Sequence, residues 1–146
     1  MEKVSTLKLW FIAVFGAIGS FIAQLFGGWT SDMKTLVIFM GIDLIMGFLI
    51  AAIWKKSGKS ITGALSSISM WKGLCRKGVS LLIVLVAHQL DGTLGTEYIR
   101  TAVIIAFIVN ELISIIENAG VMGVPIPLVI TKAIEVLKQK EGNTDE

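Results

Sequence analysis

The amino-acid sequence predicts an all-α membrane protein with about four transmembrane helices, a basic amphipathic central cytoplasmic loop and a short C-terminal cytoplasmic helix. Three observations carry this reading. Of 146 residues, 54% are hydrophobic and 16% charged, with a mean hydropathy of +0.79, whereas a soluble domain carries about 25% charged residues. A chain of this length leaves about 30% of its unfolded surface exposed even when folded, so the apolar surplus needs lipid as its solvent. The apolar residues gather in long runs, and the positive charges gather between alternate runs.

The first run, Leu9 to Ser31, has 23 residues without a charge, enough for a hydrocarbon layer about 30 Å thick. It is too long for a signal-peptide core and no A-x-A-like cleavage site follows, so it is expected to be retained. The second run, Thr35 to Trp54, contains the single charge Asp43. The third, Gly78 to Leu90, has 13 charge-free residues including His88, and the fourth, Thr101 to Ile116, contains Asn110 and Glu111. The spans are therefore placed at about 9–31, 35–54, 78–90 and 101–116 in a single membrane domain. The two short runs cross by drawing in flanking residues or thinning the bilayer; the other option is a re-entrant hairpin that leaves two full crossings.

Positive residues set the orientation. Two lysines precede the first run, six basic residues (Lys55, Lys56, Lys59, Lys72, Arg76, Lys77) lie in the loop 55–77, and three (Lys132, Lys138, Lys140) lie in the tail 117–146. With four spans these eleven share one side, against two, Lys34 and Arg100, on the other. Both termini are expected in the cytoplasm. The four tryptophans, Trp10, Trp29, Trp54 and Trp71, fall at or near span ends, where an aromatic belt places them.

Small residues recur on the first span at Gly19, Ala23 and Gly27, with Gly16 and Ser20 as a second pair. Such ridges let helix backbones approach in lipid, either between copies of the chain or against another span of the same chain. Asp43 is the most informative residue, because a carboxylate near mid-bilayer faces a partner or a water path, or makes a structural hydrogen bond to a neighbouring helix; Gly47, one turn on, leaves room beside it. On the fourth span Asn110, Ser114 and Glu117 share a face, with Glu111, Ser114 and Asn118 beside it. Glu117 and Asn118 are expected at the cytoplasmic interface. In the central loop Ile61, Leu65, Ile68 and Trp71 recur at near-helical spacing among basic residues, as in a helix lying on an anionic leaflet. The run Gly123-Val124-Pro125-Ile126-Pro127 breaks the chain, and Leu128 to Lys140 resumes as a helix with Ile130, Ile134 and Leu137 on one side and Pro127 at its first position. Residues 142–146 read as a frayed polar tail.

Nothing in the sequence supports an enzyme. The one histidine, His88, and the one cysteine, Cys75, lie in separate segments, and no metal-ligand spacing or phosphate-binding loop is present. His88 reads as a polar helix contact and Cys75 as a chance loop cysteine, while no cofactor and no nucleic-acid partner are expected.

Asp43 with Gly47 is followed by Ser66-Ser67 and Gly73-Leu74-Cys75-Arg76-Lys77, then by Glu111, Ser114-Ile115-Ile116-Glu117-Asn118 and Gly123-Val124-Pro125-Ile126-Pro127. In this order and spacing these motifs resemble the phage holin family that includes clostridial toxin-secretion holins. The resemblance spans about Thr35 to Lys138, and Glu111 to Pro127 is its specific part. It implies a homo-oligomer in the bacterial cytoplasmic membrane that opens timed lesions, through which endolysin, or in some relatives a toxin, leaves the cell. It also implies family-motif roles for Gly73, Arg76, Lys77, Glu117, Asn118, Gly123, Pro125 and Pro127. Asp43, Glu111, Asn110, Ser114 and His88 are the candidate pore or trigger residues. The alternatives are a small ion or solute transporter, with Asp43 and Glu111 as relay carboxylates, and an accessory subunit that anchors a partner.

Overall fold

The computed structural model describes residues 6–55 and 66–142. Among them five α-helices follow one another: α1 (Thr6–Leu25), α2 (Ser31–Leu49), α3 (Ser67–Leu94), α4 (Ile99–Val121) and α5 (Leu128–Gly142). No strand occurs among the described residues. A π-helical turn, Ile50–Trp54, prolongs α2. The helices Thr6–Leu25, Ser31–Trp54 and Ile99–Val121 are long and apolar enough to cross a membrane. The 28-residue α3 is long enough, but carries Lys72, Arg76 and Lys77 in its first half and Asp91 in its last turn.

Glycines close the helices where the sequence places them. Gly27 (φ +78°) and Gly28 (φ +94°) turn the chain after α1, Gly95 (φ +69°) after α3 and Gly123 (φ +77°) after α4. After α4, Val124 N donates to Ala119 O at 2.9 Å and Gly123 N to Gly120 O at 3.0 Å. This is the hydrogen-bond pair that satisfies the last carbonyls of a helix when the next residue is left-handed. Pro125 and Pro127 then hold the turn extended, and Ile130 N bonds back to Pro127 O at 3.0 Å. Pro127 thus caps α5 one residue ahead of the first helical position expected for it.

The middle helix is α4, which packs against α2, α3 and α5, whereas α2 and α3 meet only sparsely. The apolar core comprises Met33, Leu36 and Met40 of α2, Val84 of α3, and Ile104 and Ile108 of α4. The i, i+3, i+7 spacing on α2 and the i, i+4 spacing on α4 put these residues on facing stripes. The outer faces stay apolar: Ile38, Ile45, Leu82, Ile83 and Val86 are exposed, a surface made for lipid rather than water. Helix α1 buries none of its residues and meets the rest of the chain at its C-terminal end, where Gln89 Nε2 donates to Leu25 O at 3.4 Å.

Several expected boundaries shift. The first helix stops at Leu25 and not at Ser31, because Gly27 and Gly28 turn the chain; Gly27 therefore belongs to a turn and not to a ridge of small residues. Residues 67–77, expected in a separate loop, form the first eleven residues of α3, continuous with the run that begins at Gly78. The physical reason is Lys77, whose charge is paired inside the bundle and so does not end the helix. Of the expected loop helix, Ile68 and Trp71 are exposed on α3, while Ile61 and Leu65, like Lys56 and Lys59, lie outside the described residues, as do Lys3 and residues 143–146. At the other end α4 runs to Val121, so 117–121 is helix and not tail.

Candidate functional site

Asp43 stands near the midpoint of the 24-residue helix Ser31–Trp54, and Glu111 near the midpoint of the 23-residue α4. Both are buried, with 3% and 6% of their surface exposed. Lys77 reaches between them from α3. Its Nζ donates to Asp43 Oδ2 at 2.8 Å and to Glu111 Oε2 at 2.5 Å. The other carboxylate oxygen of Asp43 accepts from Ser114 Oγ at 2.5 Å and from Asn118 Nδ2 at 2.9 Å. Glu111, Ser114 and Asn118, at i, i+3 and i+7, form one stripe of α4 turned toward α2 and α3.

This stripe answers the electrostatic demand of the site. Charges taken out of water need a partner and further hydrogen bonds, and an uncompensated buried charge is strongly destabilising. One ammonium serves two carboxylates here, so a hydroxyl and an amide carry part of the remaining demand. No buried side-chain nitrogen or oxygen among the described residues lacks a partner.

The cluster adjoins a cleft of about 680 Å³ between α2 and α3, lined also by Gly47, Ala51, Gly73, Arg76, Asn110 and Glu117. At Gly47 and Gly73 nothing lies within 4 Å of where a Cβ would stand, so both positions border open space in the cleft. The cleft gives the buried charges an approach from outside the bundle.

A second polar layer lies about 20 Å away along the bundle, at 1.5 Å per helical residue. Arg100 Nε donates to Phe26 O at 2.5 Å, and its Nη2 to Thr30 Oγ1 at 2.9 Å and Gly28 O at 3.3 Å. Its Nη1 pairs with Asp32 at 3.6 Å. The planar guanidinium can address several acceptors at once, here the carbonyls after α1 and the start of α2. Asp91 caps α4 from the end of α3: it accepts from Thr96 Oγ1 at 2.6 Å, Ile99 N at 3.0 Å and Arg100 N at 2.8 Å. Two first-turn N–H groups, which have no partner within a helix, are satisfied in this way. His88 belongs to this layer, its ring so close to Gly27 that a Cβ there would lie 2.6 Å from Nδ1.

The expected site residues thus divide. Asp43, Glu111, Ser114 and Asn118 converge, whereas Asn110 and Glu117 are exposed on the cleft wall and His88 is in the other layer. Gly16, Gly19 and Ser20 lie on the exposed surface of α1, with nothing near the two glycines; Ala23 is half-buried. Gly73 and Arg76 line the cleft, and Gly123, Pro125 and Pro127 build the turn before α5. Sequence reasoning missed Lys77 as the partner of both acids, and missed the Asp91–Arg100 layer. A signal for Lys77 existed: it is the basic residue that directly precedes the apolar run from Gly78. Among the described residues no three His, Cys, Asp or Glu side chains are placed to hold a metal ion.

A family model described as "Bacteriophage holin family" matches residues 20–139. The chain belongs to this holin family. The match begins within α1, earlier than the Thr35 start suggested by the motifs, and takes in both polar layers and most of α5. A protein of Bacillus phage phi105 named "Probable holin" is 34% identical over 125 residues, covering 85% of this chain and 86% of that one. An uncharacterised 14.9 kDa protein of Clostridium perfringens, in the nagH 3′ region, is 32% identical over 97% of this chain and 100% of its own. An uncharacterised Listeria monocytogenes protein is 37% identical over 92% of this chain and 93% of its own. No solved structure matches. Holin family membership and three helices long and apolar enough to cross a bilayer together point to a membrane location.

Proposed function

We propose that this chain is a working holin, which oligomerises in the bacterial cytoplasmic membrane and opens timed lesions that let endolysin reach the cell wall. The observation that carries the reading is the Asp43–Lys77–Glu111 cluster, buried near the middle of three helices and bordering a cleft. No reaction is catalysed; the charges act as a latch. In the closed oligomer Lys77 and the α4 stripe compensate the two carboxylates. When the helices part, water takes over that role, so charges that would each cost about 2.5–3.5 kcal/mol in lipid on insertion scales are compensated in both states, and only a small difference separates closed from open. Multiplied over an oligomer, a small preference per subunit becomes an abrupt transition. A membrane potential acts on the same charges with about 2.3 kcal/mol per charge per 100 mV for a full crossing.

In this arrangement α1 to α4 all cross, both termini are cytoplasmic, and α3 crosses because its central charge is paired. Lys3, Lys8, Lys55, Lys56, Lys59 and Lys72 on the cytoplasmic side, against Lys34 and Arg100 on the other, support that orientation. A cysteine placed at Gly95 should react with a membrane-impermeant reagent in intact cells before lysis, and one placed at Lys55 should not.

Expression together with a cytosolic endolysin that lacks its own export signal tests the function. After a delay, growth should stop, the membrane potential should collapse and the culture should lyse. Continued growth at confirmed membrane expression would overturn the holin reading and favour a sealed transporter.

A further inference from the structure

We infer that α5 forms a water-facing wall of the lesion, docked lengthwise against α4 with its charged side toward the aqueous passage. The inference rests on the pore-forming reading above; it takes α5 and the C-terminus that follows it from the cytoplasmic side into the membrane layer, and adds which face of the molecule meets the water.

The geometry begins at the turn 123–127, which reverses the chain so that α5 packs along α4. Its docking edge is apolar, with Ile134 and Leu137 partly buried. Leu137 packs against the core cluster that contains Ile104 and Ile108. Every member of that cluster lies between the ionic cluster and the Arg100 layer, so Leu137 sits within the bundle and not beyond the end of α4. The residues around it lie at that depth too. Glu135 and Lys138 are exposed there, and Lys132 is exposed one turn earlier.

The lipid-facing sides of α2 and α3 are apolar, with Ile38 and Ile45 and Leu82, Ile83 and Val86 exposed. Polar groups are exposed at mid-depth in two places, Arg76 and Asn110 on the cleft wall and Lys132, Glu135 and Lys138 on α5. Acyl chains strongly disfavour charged side chains there, and the α5 side chains project sideways rather than toward an interface. The exposed side of α5 also carries Val129 and Val136, yet an apolar docking edge with lysines and a glutamate exposed at mid-depth suits a helix between a protein wall and water better than one against acyl chains. Lys132, Glu135 and Lys138, at i, i+3 and i+6, alternate in sign along that outer edge.

Spin labels on cysteines placed at Thr101 and Lys138, with Cys75 replaced by serine, test the arrangement in dye-loaded vesicles of bacterial phospholipid. Docked α5 puts the labels within about 25 Å, whereas a helix released onto the cytoplasmic surface puts them about 35 Å or more apart, given a 1.5 Å rise per residue. In vesicles that release dye, the distance should be the short one. The label at 138 should then be relaxed by a water-soluble nickel complex and shielded from oxygen dissolved in lipid, with the reverse pattern for a label at Leu82. A long distance with dye release overturns the inference and leaves the holin reading standing. So does a short distance with the lipid pattern at 138, or with protection from both agents, which would mean that lipid or a second copy covers the face. Retention of dye by membrane-inserted protein overturns the pore-forming reading, and with it this inference.

Discussion

Lys77 Nζ lies 2.5 Å from Glu111 Oε2, joining two helices across 34 residues of chain. The same nitrogen reaches Asp43, 34 residues away in the other direction. A single cation therefore ties α2, α3 and α4 together at one level, and its removal bears on all three.

Replacing Lys77 by methionine keeps an unbranched side chain, one atom shorter, and removes the ammonium that the two buried carboxylates share. Loss of one partner of a buried pair costs about 3–5 kcal/mol. Thermal unfolding in detergent should show a marked loss of stability for K77M. Adding Asp43→Asn and Glu111→Gln to K77M should recover most of it; a triple variant no more stable than K77M would refute the pairing as the cause.

Asp43→Asn preserves shape and an acceptor oxygen but removes the charge. Lysis should be mistimed or abolished while membrane insertion stays at the parental level. Asp43→Leu also leaves Ser114 and Asn118 without their acceptor and should give the stronger defect. If both variants insert and lyse on the parental schedule, the latch does not involve Asp43.

Gly27 holds φ +78° with the His88 ring where a Cβ would go. Gly27→Ala should destabilise the turn after α1, with the left-handed backbone alone costing about 1–2 kcal/mol. Adding His88→Ala should relieve the collision but not the backbone penalty, so the double variant should melt between the parent and G27A. Equal melting of parent and G27A would argue against this geometry.

Arg100→Lys keeps the charge but not the fork that addresses Phe26, Gly28, Thr30 and Asp32. Limited proteolysis in detergent micelles should cut residues 26–30 faster in R100K than in the parent. Unchanged cleavage would show that the guanidinium contacts do not hold the turn.

Much of this arrangement was legible in the residues. Apolar runs marked the first four helices, though not the start of α3 at Ser67, Gly123 with Pro125 and Pro127 marked the last turn, and of the three residues expected on the inner side of α5, Ile134 and Leu137 are partly buried while Ile130 is exposed. Asp43 and the stripe of Glu111, Ser114 and Asn118 could be named because a carboxylate in an apolar run demands an explanation. Lys77 could not be placed, since a lysine at the edge of an apolar run is read as the end of a span. Only tertiary packing shows that its neighbours are acids from two other helices. Arg100 was hidden for a related reason: two of its four partners are backbone carbonyls, which every sequence supplies and none advertises. The reversal of α5 along α4 depends on which apolar seam it meets, and periodicity gives a helix its inner side without giving it an address.

The equal spacing of the three charges also fixes an order of events during synthesis. Asp43 leaves the ribosome 34 residues ahead of Lys77, and Lys77 another 34 ahead of Glu111. At about 5–20 residues per second, each interval lasts about 2–7 s. The nascent second helix therefore reaches the insertion machinery with a carboxylate whose counter-ion has not yet been translated, and the cation arrives before the second acid. Attraction is available at each later step, Lys77 to a waiting Asp43 and Glu111 to a pair already made, and at no step do the two acids meet without the lysine between them.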